Sequence, residues 1–160
     1  MADDLGIAPV LRELVLAVER YRAVRARDVL GVSSTELVAL GSLYMDGPRT
    51  PTGLARTVGI TAASATELCD RLERAGLVRR EPHATDRRKR LIILTPRARG
   101  ALTAIYRELG DIVAPALNPA AADDITAFLR AAAAALATAA RTGPAWHAGP
   151  DGPPPPLPGR

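Results

Sequence analysis

The sequence predicts a mainly α-helical protein that carries one small β-hairpin between long helices. Three observations lead to this fold class. Apolar residues recur at helical spacing through most of the chain. Helix-start patterns, in which Ser or Thr is followed by Pro or by a Glu three positions on, precede several of these segments. Two β-prone runs, LVRRE and RLIILT, flank the polar loop PHATDRRK, which is typical of a hairpin.

Composition agrees with an ordinary globular protein of one domain or of two small subdomains that share a core. The chain has 160 residues, of which 48% are hydrophobic, 24% charged and 3% aromatic, so we expect an aliphatic core. No apolar run approaches the ~20 residues of a membrane span. The start, MADDLGIAPV, lacks the basic region of a signal peptide. Because Cys69 is the single cysteine, an internal disulfide is excluded, and we expect a cytoplasmic protein.

The first two predicted helices have clear ends. Residues 7–28 form an amphipathic segment, which Gly31 ends; its apolar face is Leu11, Leu14, Val18 and Tyr21. Ser33 and Glu36 then form a capping box, and Val32 and Leu37 occupy the positions of a hydrophobic staple. This second helix is predicted to run to about residue 45, before the turn DGPRT.

The third and fourth helices are short and joined by a turn that contains Gly59. Thr50 caps the third helix and Pro51 takes its first position. Thr61 caps the fourth helix, which Gly76 closes. The buried face of the fourth helix is predicted to be Ala65, Leu68, Cys69 and Leu72. The outward residues are then Ala62, Ala63, Thr66, Glu67 and Asp70, with Ser64 near the tip.

After the hairpin, the chain returns to long helices. Thr95 and Pro96 open a helix that is predicted to run to about residue 116, and Asn118 and Pro119 open the last one. One side of the last helix is apolar, through Ile125, Phe128, Leu129, Ala132 and Leu136. Residues 142–160 are rich in Pro and Gly, so we expect a disordered tail. Its PPPPLP run either binds an aromatic groove of a partner or has no ligand.

Positive charge is concentrated in one segment. Residues 71–99 contain ten cations and three carboxylates, a net charge of +7, whereas the whole chain has +4 and the remainder therefore −3. Four adjacent cations, at 87–90, precede the apolar run LIIL. The bias of the chain towards Arg accounts for the choice of Arg over Lys, but not for this clustering. Clustered cations favour a polyanion such as nucleic acid as the partner.

Two short helices and a basic hairpin, flanked by long helices, form a winged helix-turn-helix, and the sequence resembles the MarR family of bacterial transcription regulators. The run LARTVGITAASATELCDRLERAGLVRR is similar to the family's helix-turn-helix. The run DRRKRLIILTPRARG is similar to its wing motif, Asp-x-Arg, an apolar strand and Leu-Thr-x-x-Gly, with Gly100 one place late. The resemblance covers roughly residues 5–141.

The resemblance implies a homodimer that binds a pseudo-palindromic operator on double-stranded DNA, usually as a repressor, and that often responds to a small-molecule effector. It implies that residues 5–32 and 96–141 form the dimerisation region and that residues 33–95 form the DNA-binding domain. Half-sites are then expected about one helical turn apart.

Candidate DNA-binding residues lie on the fourth helix and on the wing. The tip of the helix is small and slightly polar, which suits entry into a major groove and contact with phosphates or thymine methyl groups. In the family's wing motif, Asp86 braces the wing and Arg88 enters the minor groove, while its basic neighbours hold the phosphate backbone. The candidates are Thr61, Ala62, Ala63, Ser64, Thr66, Arg71, Arg87, Arg88, Lys89 and Arg90.

The helix tip lacks Arg, Lys, Asn and Gln, and Glu67 stands where the family often has a basic or neutral residue. Two alternatives to a specific regulator therefore stay open. One is a winged-helix protein-interaction module, which Glu67 and Asp70 favour. The other is an architectural protein that binds DNA of any sequence through its backbone.

Other chemistries are expected to be absent. Cys69 lies on the predicted apolar face, so we interpret it as core rather than as a redox switch. His83 and His147 are far apart and show no metal-ligand spacing, so we expect no metal and no cofactor. No catalytic motif indicates an enzyme. Tyr21, Tyr44 and Tyr106 are candidates for an effector pocket or, equally, for packing at the dimer interface.

Overall fold

The computed structural model describes residues 6–83, 85–86 and 89–142, and the fold class predicted from the sequence is confirmed. Six α-helices and one two-stranded antiparallel sheet follow one another along this part of the chain. The elements are α1 (Ile7–Leu30), α2 (Ser34–Asp46), α3 (Pro51–Val58), α4 (Ala62–Arg74), β1 (Val78–Pro82), β2 (Arg90–Leu94), α5 (Pro96–Val113) and α6 (Ala122–Thr142).

The predicted starts of α2, α3, α4 and α5 are confirmed, and a side-chain hydrogen bond caps each of them. Ser33 and Glu36 form the capping box, with the Glu36 carboxylate accepting from the backbone N–H of Ser33 at 2.9 Å. The Thr50 hydroxyl accepts from the N–H of Gly53 at 3.1 Å, and Pro51 occupies the first turn of α3. A Cβ added at Gly53 would lie 3.3 Å from this same Thr50 Oγ1, so a side chain there would crowd the cap.

Some boundaries differ from those predicted. Helix α1 continues to Leu30, because Gly31, in the left-handed conformation, supplies its C-cap. Helix α5 ends at Val113 and a 3-10 turn, Ala114–Ala116, follows; Pro115 lacks the N–H that an α-helix would need there. Asn118 caps a second 3-10 turn, Pro119–Ala121, and α6 begins only after it.

Residues up to 112 form one compact unit, and the core lies within it. Leu37, Leu40 and Leu43 of α2 are buried together with residues of α3, α4, the hairpin and α5. The predicted buried face of α4 is confirmed, since Ala65, Leu68, Cys69 and Leu72 are each at most 1% exposed. Helix α4 is therefore fixed on its inner side, and its opposite side is exposed.

The hairpin is anchored in this core at its base. Val78 pairs with Leu94 and Arg80 with Ile92, and the side chains of Val78, Ile92 and Leu94 are buried. Arg49, just before α3, adds an isolated bridge to Ile92 through two backbone hydrogen bonds of 3.3 and 2.8 Å. The base of the hairpin is thereby held by both backbone pairing and core packing.

Helix α1 is joined to α2 and α5 within the same unit. Arg25 of α1 donates two hydrogen bonds to Glu108 of α5, at 3.0 and 2.8 Å. Of the predicted apolar face of α1, Leu11, Val18 and Tyr21 are half-buried, whereas Leu14 is exposed. Further apolar side chains of α1 are exposed in the single chain, namely Ile7, Val10, Val15, Leu16, Val24 and Val29.

The second unit begins at Val113, and its described part is dominated by α6. Asp123 and Asp124 lie in the first turn of α6, as predicted, where they suit the helix dipole. Ile125, Phe128, Leu129 and Leu136 are all exposed. Helix α6 ends at Thr142, the first residue of the predicted tail. The remaining tail residues, 143–160, lie outside the described residues. Among the described helices, none is both long and apolar enough to cross a membrane.

Candidate nucleic-acid interface

The N-terminal tip of α4 presents small exposed side chains. Thr61, Ala62, Ala63, Ser64 and Thr66 are all exposed, as the sequence predicts. Their hydroxyl groups are already engaged, however. Thr61 Oγ1 accepts from the N–H of Ser64 at 3.1 Å and donates to Ser64 Oγ at 2.9 Å, and Thr66 Oγ1 donates to the carbonyl of Ala62 at 3.1 Å. The tip therefore offers shape and methyl groups more than free hydrogen-bond donors.

Arg71, a predicted phosphate contact, is held by the start of α2. Its Nε donates to Glu36 Oε1 at 3.0 Å, while the other oxygen of that carboxylate completes the capping box with Ser33. Burial raises the pKa of Glu36, but the hydrogen bonds from Ser33 and Arg71 outweigh it, so the pKa lies below its usual range. Arg71 remains half-exposed and is thereby oriented at the outer side of α4.

Arg80 of β1 links the hairpin to the same helix. Its guanidinium pairs with the Asp70 carboxylate and, at 3.3 Å, with Glu73 Oε2. The hydrogen bond and the charge of Asp70 are the main reasons that the pKa of Arg80 is raised. Two carboxylates on α4 thus share one guanidinium of the wing. Sequence reasoning missed this role, because the two partners are ten positions apart and meet only once the hairpin folds back.

The wing turn is closed by Asp86 and Lys89. The backbone N–H of Lys89 donates to the carbonyl of Asp86 at 2.9 Å, and Lys89 Nζ pairs with Asp86 Oδ2 at 3.3 Å. These contacts agree with the predicted bracing role of Asp86. Lys89 and Arg90 are exposed, whereas the predicted groove-reading cations Arg87 and Arg88 lie outside the described residues.

A groove of about 620 Å³ lies between the start of α3 and the wing, and we name it the α3–wing groove. Its cations are Arg56 of α3 and Lys89 and Arg90 of the wing, and its described lining contains no carboxylate. The remaining lining residues are Thr50, Pro51, Thr52, Gly53 and His83. Arg56 was not among the sequence candidates, since nothing in the local pattern of α3 shows that its exposed side faces the wing. The groove has the charge and the openness for a phosphate backbone.

Cys69 lies in the core, as the sequence predicts. It is 0% exposed, and burial raises the pKa of its thiol. The thiolate, which is the reactive form, is therefore disfavoured at neutral pH.

The three candidate effector tyrosines fall into two places. Tyr44 and Tyr106 stack on each other with ring centroids 5.2 Å apart, and Arg22 donates to the Tyr106 hydroxyl at 3.0 Å. Tyr21 instead lies near Glu108 and Arg25, where burial raises its pKa and the neighbouring Glu108 adds to the rise. A cavity of about 30 Å³ between α1 and α2 has room for little more than a water molecule, and its described lining includes none of the three tyrosines.

Comparison with known proteins gives a family-model match and a relative described as an HTH-type transcriptional regulator. A family model described as MarR family matches residues 30–89, which include α2, α3, α4 and the first part of the wing. An uncharacterized HTH-type transcriptional regulator of Bacillus subtilis, YcgE, is 36% identical over 90 residues. This match spans 56% of the present chain and 54% of YcgE, so the chain matches about half the length of that relative.

Solved structures share the fold. RV1404 from Mycobacterium tuberculosis has a TM-score of 0.66 and 24% identity, over 84% of this chain and 96% of that one. MepR of Staphylococcus aureus, in a structure of its complex with DNA, has a TM-score of 0.59 and 22% identity, over 83% of this chain and 99% of that one. At these identities the likeness concerns the fold, which extends beyond the winged helix into the flanking helices.

Proposed function

We propose, from the match of residues 30–89 to a family model described as MarR family, that the protein is a sequence-specific regulator of transcription that binds double-stranded DNA. We further propose that it acts as a homodimer on a pseudo-palindromic operator and represses until an effector binds. The observation that carries the proposal is the joint placement of an exposed, small-residue helix tip and a basic groove beside the wing, the described lining of which contains no carboxylate.

Helix α4 is the element proposed to enter the major groove. The small side chains of its tip allow close approach of the helix to the base edges. Because its inner side is buried in the core, the helix is fixed as a rigid reading element. Arg71, oriented by Glu36, is proposed to meet a phosphate at the side of the groove.

The wing is proposed to meet the adjacent minor groove. Arg87 and Arg88 are the cations that we assign to the groove itself, on the strength of the Asp-x-Arg motif. Lys89 and Arg90, together with Arg56 across the α3–wing groove, are then positioned to neutralise phosphates.

The dimer is proposed to form through residues 5–32 and 96–141, and residues 33–95 are proposed to form the DNA-binding domain. In the single chain, α1 and α6 each expose several large apolar side chains, among them Val10 and Val24 on α1 and Phe128 and Leu136 on α6. Apolar surface of this kind is typical of an interface between subunits. A two-fold dimer would present two copies of α4 to two half-sites.

Repression is proposed to depend on the separation of the two copies of α4. An effector shifts this separation if it binds one dimer geometry better than the other. The stacked pair Tyr44 and Tyr106, with Arg22 beside it, joins α1, α2 and α5 and is a candidate for the element that such an effector rearranges.

One observation favours a protein-interaction module as a second candidate function, namely the exposed carboxylate of Glu67 on the outer side of α4. The neighbouring acid Asp70, which supports the same alternative at the level of sequence, is paired with Arg80. The negative charge available to a protein partner on this face is therefore smaller than the sequence indicates.

A binding selection from a pool of random duplexes, followed by competition with bulk DNA, tests the proposal. We expect the full-length chain to enrich one pseudo-palindromic sequence and to keep it bound in excess competitor. An architectural protein would lose the selected duplex to the competitor, and an interaction module would retain no duplex from the start. Either result would contradict the proposed function.

A further inference from the structure

Several polar groups on the outer side of α4 are already hydrogen-bonded within the chain. The hydroxyls of Thr61 and Ser64 bond to each other, and the hydroxyl of Thr66 donates to the backbone. Arg71 is engaged by Glu36, and Arg74 Nε donates to the carbonyl of Asp70 at 3.3 Å. The hydroxyl protons of Thr61 and Thr66 and the Nε–H groups of Arg71 and Arg74 are thus engaged within the chain.

The three carboxylates of α4 differ in whether they are paired with another residue of the chain. Asp70 and Glu73 are both paired with Arg80 of the wing. Glu67 is exposed, and no residue in the described ranges forms an ion pair or a hydrogen bond with it. It follows Thr66 on the second turn of α4, beside the small tip residues that let the helix approach DNA.

An ionised carboxylate in this position limits the choice of base. It accepts hydrogen bonds and donates none, and it is repelled by the surrounding phosphates. Guanine presents two acceptors in the major groove and thymine presents one, so neither edge compensates the carboxylate. Cytosine presents its N4 amino group, a donor with no acceptor of its own on that edge, whereas adenine places the N7 acceptor beside its amino group.

We propose that Glu67 is a specificity-determining residue, whose carboxylate accepts a hydrogen bond from the N4 amino group of one cytosine in each half-site. The inference rests on the proposed function, because it names the base that the α4 of a DNA-binding dimer requires. Arg80 pairs with Asp70 and Glu73, so Glu67 is the carboxylate of α4 that has no ion-pair partner among the described residues.

The test compares duplex selections made with the parent, with Glu67→Gln and with Glu73→Gln as the matched control. Both substitutions remove one negative charge from α4, but Glu73 is paired with Arg80. We expect the parent and Glu73→Gln to enrich the same cytosine in each half-site. Glu67→Gln should lose that cytosine and gain adenine at the same position, because an amide is suited to the N6 and N7 edge of adenine.

A binding cycle on the selected duplex measures the effect directly. For the parent, replacing that C·G pair with T·A should weaken binding about 5- to 150-fold, since thymine O4 is an acceptor. For Glu67→Ala, the same replacement should change binding less than about 2-fold, because no carboxylate remains. Thermal unfolding of each variant verifies that the exposed substitutions leave the fold intact.

The outcomes separate the inference from the function on which it rests. If Glu67→Gln and Glu67→Ala select the same bases as the parent, the inference is overturned and the regulator stands. If the parent enriches no sequence at all, the proposed function fails and the inference fails with it.

Discussion

At the scale of single residues, Glu36 connects two helices that are distant in sequence. One carboxylate caps α2 through Ser33 and orients Arg71 on α4. The contact between Glu36 and Ser33 could be predicted from their spacing, because a capping box forms between residues close together in the sequence. The pairing with Arg71 could not, since the two residues are 35 positions apart and the contact depends on how α2 and α4 pack.

Glu36→Gln isolates the ion pair with Arg71, because glutamine preserves the capping box. We expect a loss of about 1 kcal/mol in the free energy of unfolding at neutral pH. The folded-state pKa of Glu36 lies below its ordinary value of 4.5, so its contribution is complete above the unfolded-state pKa. It is lost as the pH falls through the folded-state value, where the parent's carboxyl becomes neutral like the amide.

Urea unfolding of the parent and of Glu36→Gln, at a series of pH values from about 7 downwards, measures this difference. The two proteins should differ at neutral pH, and the difference should shrink as the pH falls through the folded-state pKa of Glu36. A difference that does not shrink at any pH at which both proteins still fold would show that the ion pair is not its source.

At the scale of elements, the wing and α4 form a unit through Arg80. The existence of the hairpin follows from its β-prone runs and its polar loop, and the register is fixed by burial of Val78, Ile92 and Leu94. The contacts of Arg80 with Asp70 and Glu73 could not be predicted from the sequence, which indicates only that all three residues are surface charges. The same limit applies to Arg56, whose part in the α3–wing groove depends on tertiary packing.

Arg80→Met should weaken binding to the selected duplex more than Arg79→Met does. Both substitutions remove one cation from β1, but Arg79 pairs with Glu81 on its own strand at 2.6 Å. Loss of Arg80 also leaves two carboxylates of α4 without this partner at the proposed DNA-binding face. We expect a difference of about 3-fold or more in Kd, with a stability change below about 1 kcal/mol for each variant.

Fluorescence anisotropy with the labelled duplex gives both affinities under one set of conditions. If both variants weaken DNA binding equally, Arg80 contributes only its positive charge, and its ion pairs with α4 have no effect on binding.

At the scale of the whole molecule, the order of helices and hairpin could be predicted, whereas the assembly could not. The apolar face of α6 is evident in the spacing of Ile125, Phe128 and Leu129, but a pattern does not say whether its own chain or a second copy covers it. In the single chain these side chains are 39%, 47% and 43% exposed.

Phe128→Glu should shift the protein from dimer to monomer, because it places a charge within the proposed interface. Ala127→Glu is the control, since it adds the same carboxylate to the opposite side of α6. Sedimentation equilibrium should give twice the mass of the chain for the parent and for Ala127→Glu, and the mass of one chain for Phe128→Glu at the same concentration. If the parent has the mass of one chain, the proposed dimer is wrong.

The central claim is that the basic wing and the outer side of α4 bind the charged backbone of duplex DNA. The most direct measurement is the binding constant for the selected duplex as a function of salt concentration. The account predicts that its logarithm falls linearly with the logarithm of salt, by about 0.9 for each phosphate neutralised and hence by several units per decade for a dimer with two wings. An affinity that stays constant from low to moderate salt would contradict the claim.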